Sequence, residues 1–395
     1  MPIEAPSAAR EVIEQPARYR PRRIIIVAGE ASGDLHGGDL AREILDRDPK
    51  CELDGIAGQS MRASGVHALV KMEDIHGLGL SELLSTIGRT SRAFLDLRKI
   101  LRRENPDLLI LIDYAEFNLI LAGVAKRAGV RVLYYITPQV WAWRRGRIRK
   151  LVDRVDKLAV VLPFEADLYR AAGERVEFVG HPLLDRARPA QNRIETLKRH
   201  GLPSSARLIA LLPGSRRAEV KYMLAPMAEA ARTLARDHGL TPVLALAPTL
   251  TADEVAHIGN TDLTGIHVVE NDTYSIVAAS EVALVTSGTA TLETALLGCP
   301  EVIAYKLTAL SYTLGRILVR GVEYFGLPNI LAGKKIVPEL LQREVTARNL
   351  VRAAEPMLTP SIRAQTVAEL NALRAKLGAP GAAARVAAMA LEMTA

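Results

Sequence analysis

With 395 residues, 49% of them apolar, the chain is too long for one ordinary core and implies two globular domains. Only two cysteines occur, Cys51 and Cys299, far apart, which excludes a disulfide framework or a zinc spacing; no apolar run approaches the roughly 18 residues of a membrane span. A net charge of +7 suits phosphates or an anionic membrane surface, while 4% aromatic content without an Arg/Gly/aromatic tract argues against a nucleic-acid partner.

Residues 1–22 hold Pro, Glu and Arg without an apolar h-region, and read as a disordered lead-in rather than a signal peptide. A buried strand follows at 24–27, then a turn and helix start loosened by Gly29, Gly33, Gly37 and Gly38. The pattern is not GxGxxG, so a dinucleotide site is poorly supported. The turn instead carries Glu30, Ser32 and Asp34, which suit sugar hydroxyls, although Ser32 and Asp34 also suit a helix cap. Asp46-Arg47-Asp48 spells DxD but sits at a helix end before Pro49, the wrong place for a metal site.

The stretch 72–103 has another texture. Leu80, Leu83, Leu84 and Ile87 recur at helical spacing, followed by Phe94, Leu97 and Leu101, among arginines that include Arg98, Arg102 and Arg103. A cationic amphipathic pattern fits an interfacial membrane contact, and equally a helix facing the core. Strand 108–112 then delivers Asp113 at its carboxyl end, where α/β sheets place their sites, with Glu116 and Asn118 close behind. A carboxylate there is a general-base candidate or a helix cap. Strand 132–136 runs into a loop with Trp141, Trp143 and a run of arginines, and strands at 157–161 and 176–179 complete a first domain, 23–185. It closes on Gly180-His181-Pro182, whose histidine reads as structural.

Residues 186–207 are polar and read as a linker. A second strand–helix alternation fills 208–350, with strands at 208–212, 243–247, 266–269, 282–286 and 302–306. After Leu208 to Leu212, Pro213-Gly214-Ser215 turns the chain and Arg216 and Arg217 stand where a helix begins. Free N–H groups, the helix dipole and guanidinium forks there suit a diphosphate. Ser287, Gly288 and Thr289 begin a second such helix, with Glu293 one turn on, suited to ribose hydroxyls. Asn329 and Gln342 lie in a Gly/Pro-bearing segment whose polar side chains can reach the cleft. The Ala-rich helices of 351–395 suit packing on the first domain or exchange in a dimer.

Several motifs, in this order, resemble the lipid-A-disaccharide synthase family: AGEASGD (28–34), GLSELL (79–84), TPQVWAWR (137–144), LPFE (162–165), GHPLLD (180–185), LLPGSRRAEV (211–220), SGTATLE (287–293) and LPNILAG (327–333). The family commonly reads Asp-x-Pro-Asp-Phe-Asn where this chain has Asp113-Tyr-Ala-Glu-Phe-Asn; the second acid becomes the longer Glu116. The resemblance implies an inverting GT-B glycosyltransferase: two doubly wound Rossmann-like domains facing each other across a cleft, the first for the acceptor and membrane, the second for the UDP-sugar. It implies transfer of 2,3-diacylglucosamine from its UDP conjugate to the 6-hydroxyl of 2,3-diacylglucosamine 1-phosphate, without metal or cofactor. On that reading Asp113 or Glu30 is the base, and Arg216 meets the diphosphate with Gly214, Ser215 and Ser287 to Thr289. Glu293 holds the ribose; Glu30, Ser32 and Asn329 position the sugars; Asp34, Glu116, Asn118 and Gln342 complete the substrate contacts. A homodimer and a peripheral place on the inner face of the bacterial inner membrane are further implications. The residues taken alone leave room for a GT-B transferase acting on another lipid, or for a non-catalytic UDP-sugar-binding scaffold.

Overall fold

The structure, a computed structural model, describes residues 20–75, 83–138, 147–173, 175–247, 250–306 and 323–395. Two all-parallel sheets organise it. The first has seven strands in the order β3-β2-β1-β4-β5-β6-β7 and the second six, in the order β10-β9-β8-β11-β12-β13. The first sheet is built from β1 (Arg23–Ala28), β2 (Glu52–Ala57), β3 (His67–Lys71), β4 (Leu108–Ile112), β5 (Arg131–Tyr135), β6 (Lys157–Val160) and β7 (Val176–Phe178). The second uses β8 (Arg207–Leu212), β9 (Leu240–Ala245), β10 (His267–Val269), β11 (Ser280–Thr286), β12 (Glu301–Tyr305) and β13 (Glu339–Leu341).

Strands β1 and β4 are almost unbroken runs of Ile, Leu and Val because both faces of a parallel sheet lie under helices. Ile24, Ile26, Leu108 and Ile110 pack on one side, and Ile25, Val27, Leu109 and Leu111 on the other. In each sheet the strand order reverses beside the first strand, between β1 and β4 and between β8 and β11. Such a reversal leaves a crevice at the carboxyl ends of the strands. Asp113 follows β4, Glu30 follows β1, Arg216 follows β8 and Ser287 follows β11, so the four loops with site chemistry all issue from reversal points.

Three strands were not foreseen. β2 contains Gly55, whose added Cβ would lie 1.7 Å from the Ile26 carbonyl; the glycine is there because backbone passes so close. β3 and β13 are short edge strands of five and three residues, with little room for a pattern. The stretch read as a linker also carries order. Asn192 caps a helix (Arg193–Arg199) in a capping box with Glu195, and that helix buries Thr196 and Leu197.

The C-terminal helices, Pro360–Lys376 and Ala382–Met393, reach back to the first sheet's side of the molecule. Val386, Ala387 and Ala390 join the same core as β1 and β4. The Leu377 carbonyl accepts from the His181 N–H at 2.9 Å, and Asp185 accepts from Gly381 N–H at 2.9 Å. Lys376 Nζ meanwhile donates to the Leu331 carbonyl at 2.9 Å, so the returning segment touches both halves.

The cationic helix (Leu83–Arg103) follows its core-facing alternative along one stripe of its C-terminal half. Ala93, Leu97 and Leu101, spaced by four, are buried in the core, and Phe94 meets Phe117 edge-on at 5.8 Å. Arg98 is half-buried, while Arg102 and Arg103 are exposed. Leu80 and the side chains of Leu83, Leu84 and Ile87 lie outside the described residues, as do Trp141 and Trp143.

Candidate active site

At the end of β4 the backbone does something rare. Asp113 and Tyr114 both adopt the left-handed region, each with φ of 48°, and Ile136 at the end of β5 follows with φ of 58°. Non-glycine residues in this region cost of order 1–3 kcal/mol each and persist only where the surroundings hold them. Here they are held. The Asp113 carbonyl accepts from Tyr134 Oη at 2.6 Å and from Asn118 Nδ2 at 2.8 Å, and Asp113 N–H donates to the Ile136 carbonyl at 3.1 Å. Asn118 is fully buried and also donates to the Ile112 carbonyl, so it shapes the Asp113 backbone. Its assignment to substrate is corrected accordingly: Asn118 acts through Asp113.

The Asp113 carboxyl is pushed up to about 6, first by burial and then by the neighbouring charge of Glu30, with Arg216 pulling the other way. A carboxylate near neutrality in a cleft is suited to taking a proton. Gly29 is needed beside it because a Cβ there would fall 2.1 Å from the Tyr114 ring, which stacks on Phe117 at 5.0 Å.

From the opposite domain, Arg216 reaches across. Its Nη2 lies 2.8 Å from Glu30 Oε2, and its Nη1 lies 3.3 Å from Glu219 Oε1. The expected free N–H groups at this helix start are corrected too. Glu219 Oε2 accepts from Ser215 N–H at 3.1 Å and from Arg216 N–H at 3.2 Å, closing a capping box at the head of the Arg217–His238 helix. Gly214, with φ of 116°, lets that carboxylate close over it; a Cβ would sit 2.4 Å from Glu219 Oε2. Glu219 was not foreseen, although an acid three residues beyond the N-cap is its sequence signature.

Between the domains lies a cavity of about 370 Å³, within the usual range for a small-ligand site. Ser32, His36, Asp113, Thr137, Glu165 and His181 line it from the first domain, and Thr289 and Leu327 from the second. Burial pulls the imidazole of His36 down to about 4 and that of His181 down to about 3, so both are neutral near pH 7. His181 Nδ1 accepts from Leu183 N–H at 3.2 Å, in keeping with its structural reading. His36 and Glu165 were passed over in sequence, though each sits in or beside a quoted motif.

The second helix start is placed as foreseen, with Gly288 as N-cap of Thr289–Leu296 and both Gly288 and Thr289 exposed. Ser287 N–H is spent on the Ala304 carbonyl at 3.0 Å. Glu293 is half-buried and accepts from Tyr274 Oη at 2.7 Å. Gln342, with φ of 52°, follows β13 and opens a short 3-10 turn (Gln342–Glu344), and Glu116 is exposed in the first turn of its helix.

Two further assignments are overturned. The Asp34 carboxylate is buried and accepts from the N–H groups of Gly58, Ser60 and Met61 at 2.7, 2.8 and 3.2 Å. It caps the neighbouring Gln59–Ala63 helix, with both oxygens engaged by backbone N–H groups. Asn329 is fully buried. Its Nδ2 donates to the Val337 carbonyl and to Glu339 Oε1, and its Oδ1 accepts from the N–H groups of Ile336 and Val337. With all four of those bonds internal, the Asn329 side chain knits the 327–339 segment and has its donors and acceptor already filled. Among the described residues no three His, Cys, Asp or Glu side chains gather as a metal ion would require.

Two facing Rossmann-like halves, with Arg216 of one meeting Glu30 of the other beside the raised carboxyl of Asp113, define a GT-B-fold protein, the architecture of nucleotide-sugar glycosyltransferases and epimerases. Solved structures of that fold match over nearly the whole length. A putative UDP-N-acetylglucosamine 2-epimerase from Listeria monocytogenes superposes with a TM-score of 0.64 at 14% identity, covering 95% of this chain and 96% of that one. A glycosyltransferase of kitacinnamycin gives 0.62 at 15% identity, covering 95% and 100%. The chain belongs to the lipid-A-disaccharide synthase family: the model described as "Lipid-A-disaccharide synthetase" matches residues 24–390. The lipid-A-disaccharide synthase of Syntrophus aciditrophicus is 46% identical over 378 residues, covering 94% of this chain and 97% of the relative. That of Geobacter metallireducens is 44% identical over 376 residues, with the same coverage. The protein is therefore a glycosyltransferase of lipid A biosynthesis that uses a UDP-sugar donor and a sugar-phosphate acceptor. No described helix is long and apolar enough to cross a membrane.

Proposed function

We propose that the donor is UDP-2,3-diacylglucosamine and the acceptor 2,3-diacylglucosamine 1-phosphate, joined through the acceptor 6-hydroxyl with inversion to give the β-1,6 disaccharide 1-phosphate and UDP. The observation that carries this reading is the meeting of Arg216, from the second domain, with Glu30 beside the raised carboxyl of Asp113. Asp113 takes the proton of the attacking hydroxyl, on the face of the donor sugar opposite the leaving group. Arg216 and the exposed helix start at Gly288 and Thr289 take up the charge that develops on the departing diphosphate. Glu293 holds the ribose, exchanging its bond to Tyr274 for a sugar hydroxyl. Ser32, on the cavity wall, positions a sugar, and Glu116 and Gln342 complete the substrate contacts. The first domain takes the acceptor and the second the donor. Purified protein incubated with both lipids in the presence of chelator is expected to form disaccharide in step with UDP. Release of UDP without disaccharide would refute the acceptor, and neither product with or without added divalent metal would refute the reading.

Both substrates carry acyl chains, so the protein works at a membrane surface. The exposed Arg102 and Arg103, at the amino-end side of the first sheet beside the Glu104–Arg23 pair, extend the cationic face of the Leu83–Arg103 helix toward anionic headgroups on the inner face of the inner membrane. Each arginine near such a surface is worth about 1 kcal/mol. Replacing Arg102 and Arg103 by Glu is therefore expected to weaken binding to phosphatidylglycerol-containing vesicles by at least tenfold at low salt. Undiminished co-sedimentation would contradict the placement.

A further inference from the structure

The Arg216–Glu30 pair is the unusual contact in the cleft. It joins residues 186 apart in sequence, one on each side of the reaction space, at 2.8 Å. Arg216 has two carboxylates on its guanidinium, and they are not equivalent. Glu219 belongs to Arg216's own helix; its side chain is 14% exposed, and its second oxygen is committed to the turn N–H groups. Glu30 comes from the other domain, and its side chain is 43% exposed against 63% for Arg216. An ion pair so open to water is weak and exchanges readily. A diphosphate offers the same fork a stronger, bidentate partner, and it cannot share that fork with Glu30 without placing like charges together.

Building on the reading of Arg216 as the diphosphate ligand, we propose that Glu30 holds the diphosphate's place on Arg216 in the donor-free protein and is displaced when a nucleoside diphosphate sugar binds. The pair keeps the guanidinium extended across the cleft, where the leaving group arrives, rather than folded onto its own domain. Once displaced, the Glu30 carboxylate stays at the end of β1, next to Asp113, and is available to the acceptor's hydroxyls. The placeholder is thus a positioning device on the donor side and a polar contact on the acceptor side.

A double-mutant cycle on UDP affinity, measured by calorimetry on the full chain, separates this from simple repulsion. The four proteins are wild type, Glu30→Gln, Arg216→Gln and the double variant. Removing a competitor that occupies an exposed pair is expected to tighten UDP by about two- to fivefold in Glu30→Gln. The same change in the Arg216→Gln background is expected to do nothing, because no fork remains to compete for. Weaker or unchanged UDP binding in Glu30→Gln would overturn the proposal, as would equal tightening in both backgrounds, the mark of plain charge repulsion. Should Arg216→Gln itself leave UDP affinity unaltered, the diphosphate assignment of Arg216 falls and takes the placeholder with it. A normal loss in Arg216→Gln with no gain in Glu30→Gln rejects the placeholder alone.

Discussion

Asp113→Asn is expected to lower turnover by about two to four orders of magnitude while leaving UDP affinity nearly unchanged, since a positioned general base typically contributes that much. The side chain keeps its size, and the bonds that fix its backbone come from Tyr134, Asn118 and Ile136, none of which depends on the carboxyl. Stability is expected to move the other way. Burial and Glu30 push the folded carboxyl up to about 6 from its ordinary 3.8, so between those values the native state binds more protons than the unfolded one. Stability falls as pH rises through that window and stays lower above it. Asp113→Asn removes the penalty, so its melting temperature relative to wild type should be higher at pH 8 than at pH 4. Parallel pH dependence in the two proteins would show that the carboxyl carries no such strain, and wild-type turnover in the variant would remove Asp113 from the chemistry.

Arg216→Ala is expected to cut kcat by about two to three orders of magnitude, the usual cost of losing one preorganised donor to a developing negative charge. Part of the loss belongs to KM, because a guanidinium also attracts the diphosphate in the ground state. The diagnostic feature is that kcat falls and not KM alone. Loss confined to KM would make Arg216 a binding residue without a part in the transition state. Arg216→Lys is expected to recover little, since a point charge does not replace a planar fork with two carboxylates already on it.

The parts of this molecule that were legible in sequence are those governed by local pattern. Runs such as Ile24 to Val27 and Leu208 to Leu212 announce buried parallel strands, and the residues after them fall at the sheet reversals. The polar residues were harder because the residue types that bind sugars also cap helices. Asp34 and Asn329 carry side chains suited to a ligand, yet both spend them on backbone N–H groups brought near only by the fold. Asn118 differs again, since its target is the carbonyl of the very residue it follows in the motif. The left-handed pair at Asp113 and Tyr114 has no glycine to betray it, and Gly29, which makes room for the Tyr114 ring, lies 85 positions away in sequence. Glu219 was open to discovery from its capping position. Its closure over the Gly214 turn, which converts a free anion cradle into an occupied one, needed coordinates.

The central claim is that Asp113 is the base and that its basicity is set by the cleft around it. The pH dependence of kcat/KM for the acceptor tests this most directly, because it reports the essential groups before the acceptor binds. A base must be ionised, so activity is expected to fall with acid along a limb centred at about 6, the value to which burial and Glu30 push the Asp113 carboxyl. In Glu30→Gln the neighbouring negative charge is gone, so the limb is expected to move to lower pH. A limb at the ordinary carboxylate value, or one that stays in place when Glu30 is neutralised, would contradict the account.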